Sequence, residues 1–259
     1  MIKRIFRDSY YSYKALFSYY GVVPYFLYKI INSFFQIAFF SLFAISLFGK
    51  ENATNWIVGN AFMLSSCNSL FGIGVNATYE RIFGTLKYTI TGSTDIFSRY
   101  CSQVIMHLVD GLFNIMLGVM YGAVCFGVNI SIFESLRLLL VAFVSMLSIS
   151  GFSLFLGNIG LLIRDMTSVL NFVNMFIMIC AGVNYPIETL PKLLKTIGRV
   201  LPLSGGIEAA RAVINQQTEG VPIMLFREFS VCLFYVALAI IIYKLIENSA
   251  IKNGKIDLM

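Results

Sequence analysis

Three groups of residues in this chain could do chemistry. His107 and Asp110 lie one helical turn apart inside an apolar run. Such a pair can relay protons, or it can be a hydrogen-bonded structural pair near a helix end. A proton-coupled carrier uses several carboxylates at membrane depth, and Asp110 is the one that the sequence places there. Glu80 and Arg81 open a polar stretch, "YERIFGTLKYTITGSTDIFSR", whose apolar residues Ile82, Phe83, Leu86 and Ile90 recur at helical spacing. That pattern predicts a short amphipathic helix over residues 78–89 that stops near Gly92. It could dock a soluble partner or be a solvated loop. In the first turn of such a helix, Glu80 would suit the dipole, and Gly84 would permit close backbone approach. Arg164 and Asp165 form the third group, a charged pair in a tight turn. They fit either a second contact with that partner or a marker of topology at a helix end.

The missing motifs limit the chemistry further. There is no nucleophile elbow, no phosphate-binding G-x-x-x-x-G-K-[ST] loop and no zinc motif, so no catalytic or metal-binding residues are expected. Any ATP used must be bound by another chain. The single histidine excludes a histidine-based metal cluster. Cys67, Cys101, Cys125, Cys180 and Cys232 lack C-x-x-C spacing and read as small buried apolar residues.

The elements that must carry these residues are membrane spans. The chain is 58% hydrophobic and 12% charged, with a mean hydropathy of +0.80. Soluble domains carry about 25% charged residues. The composition is that of an all-α integral membrane protein, a single domain over residues 1–259. The net charge of +6 reads as topology and not as nucleic-acid binding. Six runs are long enough to span: about Phe26–Phe48, Trp56–Val75, Tyr100–Phe126, Leu138–Ile163, Ser168–Val183 and Phe229–Ile246. Six spans put both termini on one side. Lys3, Arg4, Arg7, Lys14, Lys29, Arg81, Lys87, Arg99, Arg164, Lys244, Lys252 and Lys255 then share that side, which marks it as cytoplasmic. The basic, tyrosine-rich residues 1–25 fit a helix lying on the inner membrane face, or else a disordered basic tail.

Within the spans, Ser65, Ser66, Asn68, Ser145, Ser148, Ser153, Asn158, Asn171 and Asn174 could pack helices together or line a path. Gly118 and Gly122 form a helix-contact motif.

Residues 184–228 are too polar to cross and too apolar for a linker. Tyr185-Pro186 would end the fifth span. Pro191 would precede a helix with an apolar stripe of Leu193, Leu194, Ile197, Val200 and Leu201. Pro202, Gly205 and Gly206 would break it, and a second helix would begin near Ile207. The pattern predicts an extracellular re-entrant helical hairpin between spans five and six. It would either roof an exit path or lie flat without a gating role.

Two stretches together resemble the membrane subunit of type-2 ABC exporters, the ABC-2 permeases. In the first, Glu80, Arg81, Gly84, Thr85 and Leu86 match the family's cytoplasmic loop after span two. In the second, Arg164 and Asp165 match a turn before span five, and Gly182, Tyr185, Pro186, Leu190 and Pro191 match the start of the outer hairpin. Leu201, Pro202, Leu203 and Arg211 follow in the family's order. Lys87 departs from the family, where an acidic residue is common.

The resemblance implies two permease subunits, identical or paired, on cytoplasmic ABC ATPase subunits that bind ATP and Mg. No cofactor is expected in this chain. The loop at Glu80 would be the coupling helix. The protein would be multi-pass in a bacterial plasma membrane, with both termini cytoplasmic. The cargo would be a drug, an antibiotic peptide or another amphipathic molecule; the alternatives are a lipid-linked polysaccharide or teichoic-acid precursor, or a stand-alone secondary carrier.

Overall fold

A computed structural model describes residues 9–11, 14, 21–84, 96–128, 131–163 and 165–253. Most of the interfacial helix expected over residues 1–25 lies outside them, as do Thr85, Leu86, Lys87 and Arg164. The described residues form helices and turns with no strand. The helices are α1 (Val22–Phe48), α2 (Lys50–Gly74), α3 (Asn76–Ile82), α4 (Ile96–Phe126), α5 (Ile132–Gly160), α6 (Met166–Cys180), α7 (Lys192–Val200), α8 (Ser204–Ile214) and α9 (Val221–Asn253).

Among the described residues, five helices are long and apolar enough to cross a membrane. Helix α6, expected as the fifth span, has 15 residues. At 1.5 Å per residue it reaches about 22 Å, short of the roughly 30 Å hydrocarbon core.

The ends of the long helices correct the sequence reading. Helix α5 begins at Ile132 because Ser131 and Glu134 form a reciprocal capping box. Helix α9 begins at Val221, well before the expected Phe229. Arg227 and Glu228 therefore lie inside the helix. Both charges are matched within the fold: Arg227 pairs with Glu208 at 2.5 Å, and Glu228 binds backbone N–H groups.

Helices α2 and α5 form the centre, with α4, α8 and α9 packed on them. Small residues set the approach. A Cβ on Gly118 would lie 2.6 Å from Ala61 Cβ, and one on Gly122 would lie 2.6 Å from Ile57 Cγ2. The G-x-x-x-G motif of α4 is therefore its contact with α2.

Several span hydroxyls and amides serve packing. Ser65 donates to Gly111 O at 2.6 Å, and Asn158 donates to Ala239 O at 2.8 Å, each between helices. Ser145 and Ser153 donate back to carbonyls in their own helix. Cys67 Sγ donates to Asn174 Oδ1 at 3.0 Å, tying α2 to α6.

His107 and Asp110 do not form the expected pair. Asp110 forms an ion pair with Lys29 and accepts from Tyr25 Oη at 3.2 Å, both on α1. The His107 ring packs over Gly72, and its Nδ1 has no hydrogen-bond partner. The chemistry is a buried bracket between α1 and α4.

Candidate coupling face and outer hairpin

At one end of the bundle, α3 crosses the last turn of α5. Thr78 Oγ1 donates to Gly160 O at 3.1 Å. A Cβ on Gly160 would lie 3.1 Å from that hydroxyl and 3.3 Å from Gly74 O, tighter than most real contacts. Arg81 then spreads its guanidinium over the turn that follows. Its Nη1 donates to Leu161 O at 3.0 Å, and its Nη2 donates to Ile163 O at 2.6 Å.

Asp165, two residues on, caps α6. Its carboxylate accepts from Ser168 N at 3.2 Å and from Ser168 Oγ at 2.5 Å. The Ser168 hydroxyl holds Asp165 below the ordinary carboxylate value of 3.8. A lowered acid pKa means that the cap is complete above the ordinary value. It is lost only as pH falls through the lower, folded one.

Two details differ from expectation. Helix α3 starts at Asn76, which puts Glu80 beyond the first turn and removes the dipole argument; Arg81, in the last turn, is the residue that suits it. The helix stops at Ile82, short of the expected span, and residues 85–89 of that span lie outside the described residues. Gly84 adopts φ +67°, the left-handed region, and a Cβ there would meet nothing within 4 Å. That backbone conformation favours glycine, and no other part of this chain crowds it. The outer surface of this end is apolar: Tyr79, Ile82 and Phe83 are exposed, Phe83 by 74%.

The hairpin segment builds the second region. After α6, Gly182 turns at φ +77°, and Tyr185 Oη donates back to Ile179 O at 2.9 Å. Pro186 precedes the 3-10 turn Ile187–Thr189, whose last bond brings Leu190 N to Ile187 O. Pro191 immediately precedes α7. Helix α7 lies against α6, where a Cβ on Gly198 would sit 2.2 Å from Cys180 O. The chain leaves Leu193 and Val200 of its apolar stripe exposed, while Leu194 and Ile197 are half-buried and Leu201 is buried.

The turn from α7 to α8 is made by Pro202 and Leu203, the latter at φ +74° and fully buried. Gly205 and Gly206 do not break a helix, as expected, but form the first turn of α8. They are glycines because α8 is pressed into the core. A Cβ on Gly206 would lie 1.8 Å from Ser145 Oγ, and one on Gly205 would lie 2.8 Å from Met224 O. Ser145 is near the middle of α5, so α8 begins deep in the bundle.

Two charged side chains hold α8 in place. Glu228, fully buried on α9, accepts from Leu203 N at 2.7 Å, Gly205 N at 2.9 Å and Gly206 N at 3.3 Å. A carboxylate thus satisfies three donors at a helix N-terminus, where the dipole favours negative charge. At the other end, Arg211 Nη1 donates to Gly182 O at 2.7 Å, and Nη2 donates to Val183 O at 2.6 Å. Its Nε and Nη2 donate to Asn55 O at 3.1 and 3.0 Å. Burial lowers Arg211 to about 10, which leaves it charged at neutral pH.

Residues 7–215 match the sequence model of the ABC-2 type transporter family. The chain belongs to that family. The match takes in both regions just described, up to the end of α8. No curated protein matches the chain.

As an ABC-2 permease, this is the membrane-embedded transport component of an ABC transporter. The permease brings Arg81 and the turn before Asp165 into one cluster. It also brings Gly182, Gly205, Gly206 and Arg211 into a second. The sequence reading missed Glu228, which anchors the second cluster. A signal was present: Glu228 lies inside the candidate span Thr218–Ile246, where a carboxylate needs partners.

Proposed function

We propose that this permease is the membrane half of an ATP-driven exporter. Two permease subunits form the path, and a separate cytoplasmic ATPase binds ATP and Mg. The chain crosses six times, with both termini cytoplasmic in a bacterial plasma membrane, and α6 together with the turn after it makes the fifth crossing. The cargo is amphipathic, such as a drug or antibiotic peptide.

The observation that carries this reading is the Arg81 fork. It joins the two segments expected to touch the ATPase, α3 and the turn before Asp165, into one rigid face. Tyr79, Ile82 and Phe83 supply an exposed apolar surface there for a cleft in the ATPase, with Glu80 beside them. A push on α3 reaches α6 through the fork. It reaches α5 through Thr78 and Gly160. At the far end, the hairpin is re-entrant and roofs the exit. Supporting this, α8 starts beside Ser145 and is sealed by partners on α2, α5 and α9.

The test is co-purification with a candidate ABC ATPase. Phe83→Ala and Glu80→Ala are expected to weaken assembly, with about a tenfold loss for Phe83, as for an interface anchor worth a little over 1 kcal/mol. Arg81→Ala is expected to leave assembly intact but to cut stimulated ATP hydrolysis, because the face remains while its link to α6 is lost. Unchanged assembly and unchanged stimulated hydrolysis in all three variants would overturn the coupling assignment.

A further inference from the structure

A cavity of about 340 Å³ opens between α1, α2 and α4, near the end that carries the coupling face. Lys29 is two turns into α1, and Asn68 and Phe71 are within two turns of the end of α2. Its polar lining consists mainly of amides: Asn32 and Gln36 from α1, Asn68 from α2 and Asn114 from α4. The one charge in the wall, Lys29, is neutralised by Asp110.

Asn114 is 1% exposed, and both its amide nitrogen and its amide oxygen are without a hydrogen-bond partner. A buried amide with both ends unpaired is costly, and more so in a membrane, where bulk water cannot compensate. The groups that satisfy it must donate and accept at once and carry no net charge. Tyr28 and Phe71 add aromatic surface to the lining.

We propose that this cavity is a binding site for the uncharged, hydroxyl- or amide-bearing head of an amphipathic cargo. The proposal rests on the exporter reading and narrows its cargo class. Hydroxyls and amides pair with the asparagine amides in both senses. A cation gains nothing from a carboxylate already paired with Lys29, and an anion would have to compete with Asp110 for that lysine. The tail of the cargo leaves along exposed α1, towards lipid or a second subunit.

The probe is an alkyl glucoside carrying a photo-reactive diazirine next to its head. The full chain is placed in phosphatidylcholine nanodiscs, irradiated and mapped by mass spectrometry. Label is expected on residues 64–71 and 112–116. Octyl glucoside at ten times its Kd should cut it about tenfold by mass action. Octyl sulfate and octyltrimethylammonium should not. Asn114→Leu is expected to lower labelling about tenfold or more, through two lost hydrogen bonds, with thermal stability kept or raised. A structural asparagine would instead lose stability on that change. Should Asn114→Leu fail to fold, Asn68→Leu is expected to lower labelling in the same way. The proposal is overturned if label spreads over the lipid-facing surfaces. It is also overturned if charged heads compete as well as the glucoside, or if the variant that folds keeps full labelling. None of these measurements needs the ATPase, so a negative result removes the cargo class and leaves the exporter reading to the assembly test.

Discussion

Replacing Glu228 with Ala is expected to unseat α8 and abolish transport. The carboxylate accepts from three backbone N–H groups at the start of that helix, and no water reaches them, since Glu228, Gly205 and Gly206 are all buried. Each orphaned donor costs about 1–3 kcal/mol, so the loss is at least about 3 kcal/mol. Leu203 adds to the effect, because its left-handed backbone is tolerated only while its N–H is held. Glu228→Gln keeps the shape but offers one acceptor oxygen in place of two, and is expected to fall midway. Thermal unfolding of the purified permease measures the loss. Hydrogen exchange over residues 203–208 locates it, with faster exchange expected there first. A Glu228→Ala variant that unfolds at the wild-type temperature would show that α8 is anchored by other contacts.

Arg211→Ala is the second large effect, and it is expected at the opposite end of the same helix. One guanidinium spans the carbonyls of Asn55, Gly182 and Val183. Its removal leaves three acceptors unpaired and frees the turn after α6 from α2. Hydrogen bonds from a charged donor contribute about 1.5–3 kcal/mol each, so the loss matches or exceeds that at Glu228. Arg211→Lys is expected to recover little. An ammonium is a point donor and cannot reproduce a planar fork bound to three carbonyls. Limited proteolysis at residues 181–190 tests this: cleavage is expected to rise in both variants. If Arg211→Lys is protected like the wild type, charge is what matters and the fork does not.

The long helices were legible because membrane spans announce themselves by uninterrupted apolar length. Their beginnings were not, where charge lies inside the helix. The start of α5 holds Glu134, and the start of α9 holds Arg227 and Glu228. Each charge has a partner that the apolar pattern does not reveal: the capping residue Ser131, Glu208, or the backbone of α8. Gly205 and Gly206 misled for the same reason. A glycine pair reads locally as a breaker, and only the facing Ser145 and Met224 show it to be a contact. The face around Arg81 was half legible. The motif located Glu80 and Arg81, but not that Arg81 turns inward to the carbonyls of residues 161 and 163. Asp110 pairs with Lys29, a residue far upstream in the chain, and not with the histidine beside it.

The close fit of Gly206 against Ser145, and of Gly59 against Val183 O, limits how this region can change through evolution. The hairpin is not a cassette that can be exchanged by itself. Its matching surfaces are distributed over α2, α5 and α9, so an inherited change at Gly206 requires a compensating change at Ser145. A change at Leu203 is screened in the same way by Glu228. Chimeras between related permeases should therefore exchange residues 182–228 as one block, together with Asn55, Gly59 and Ser145.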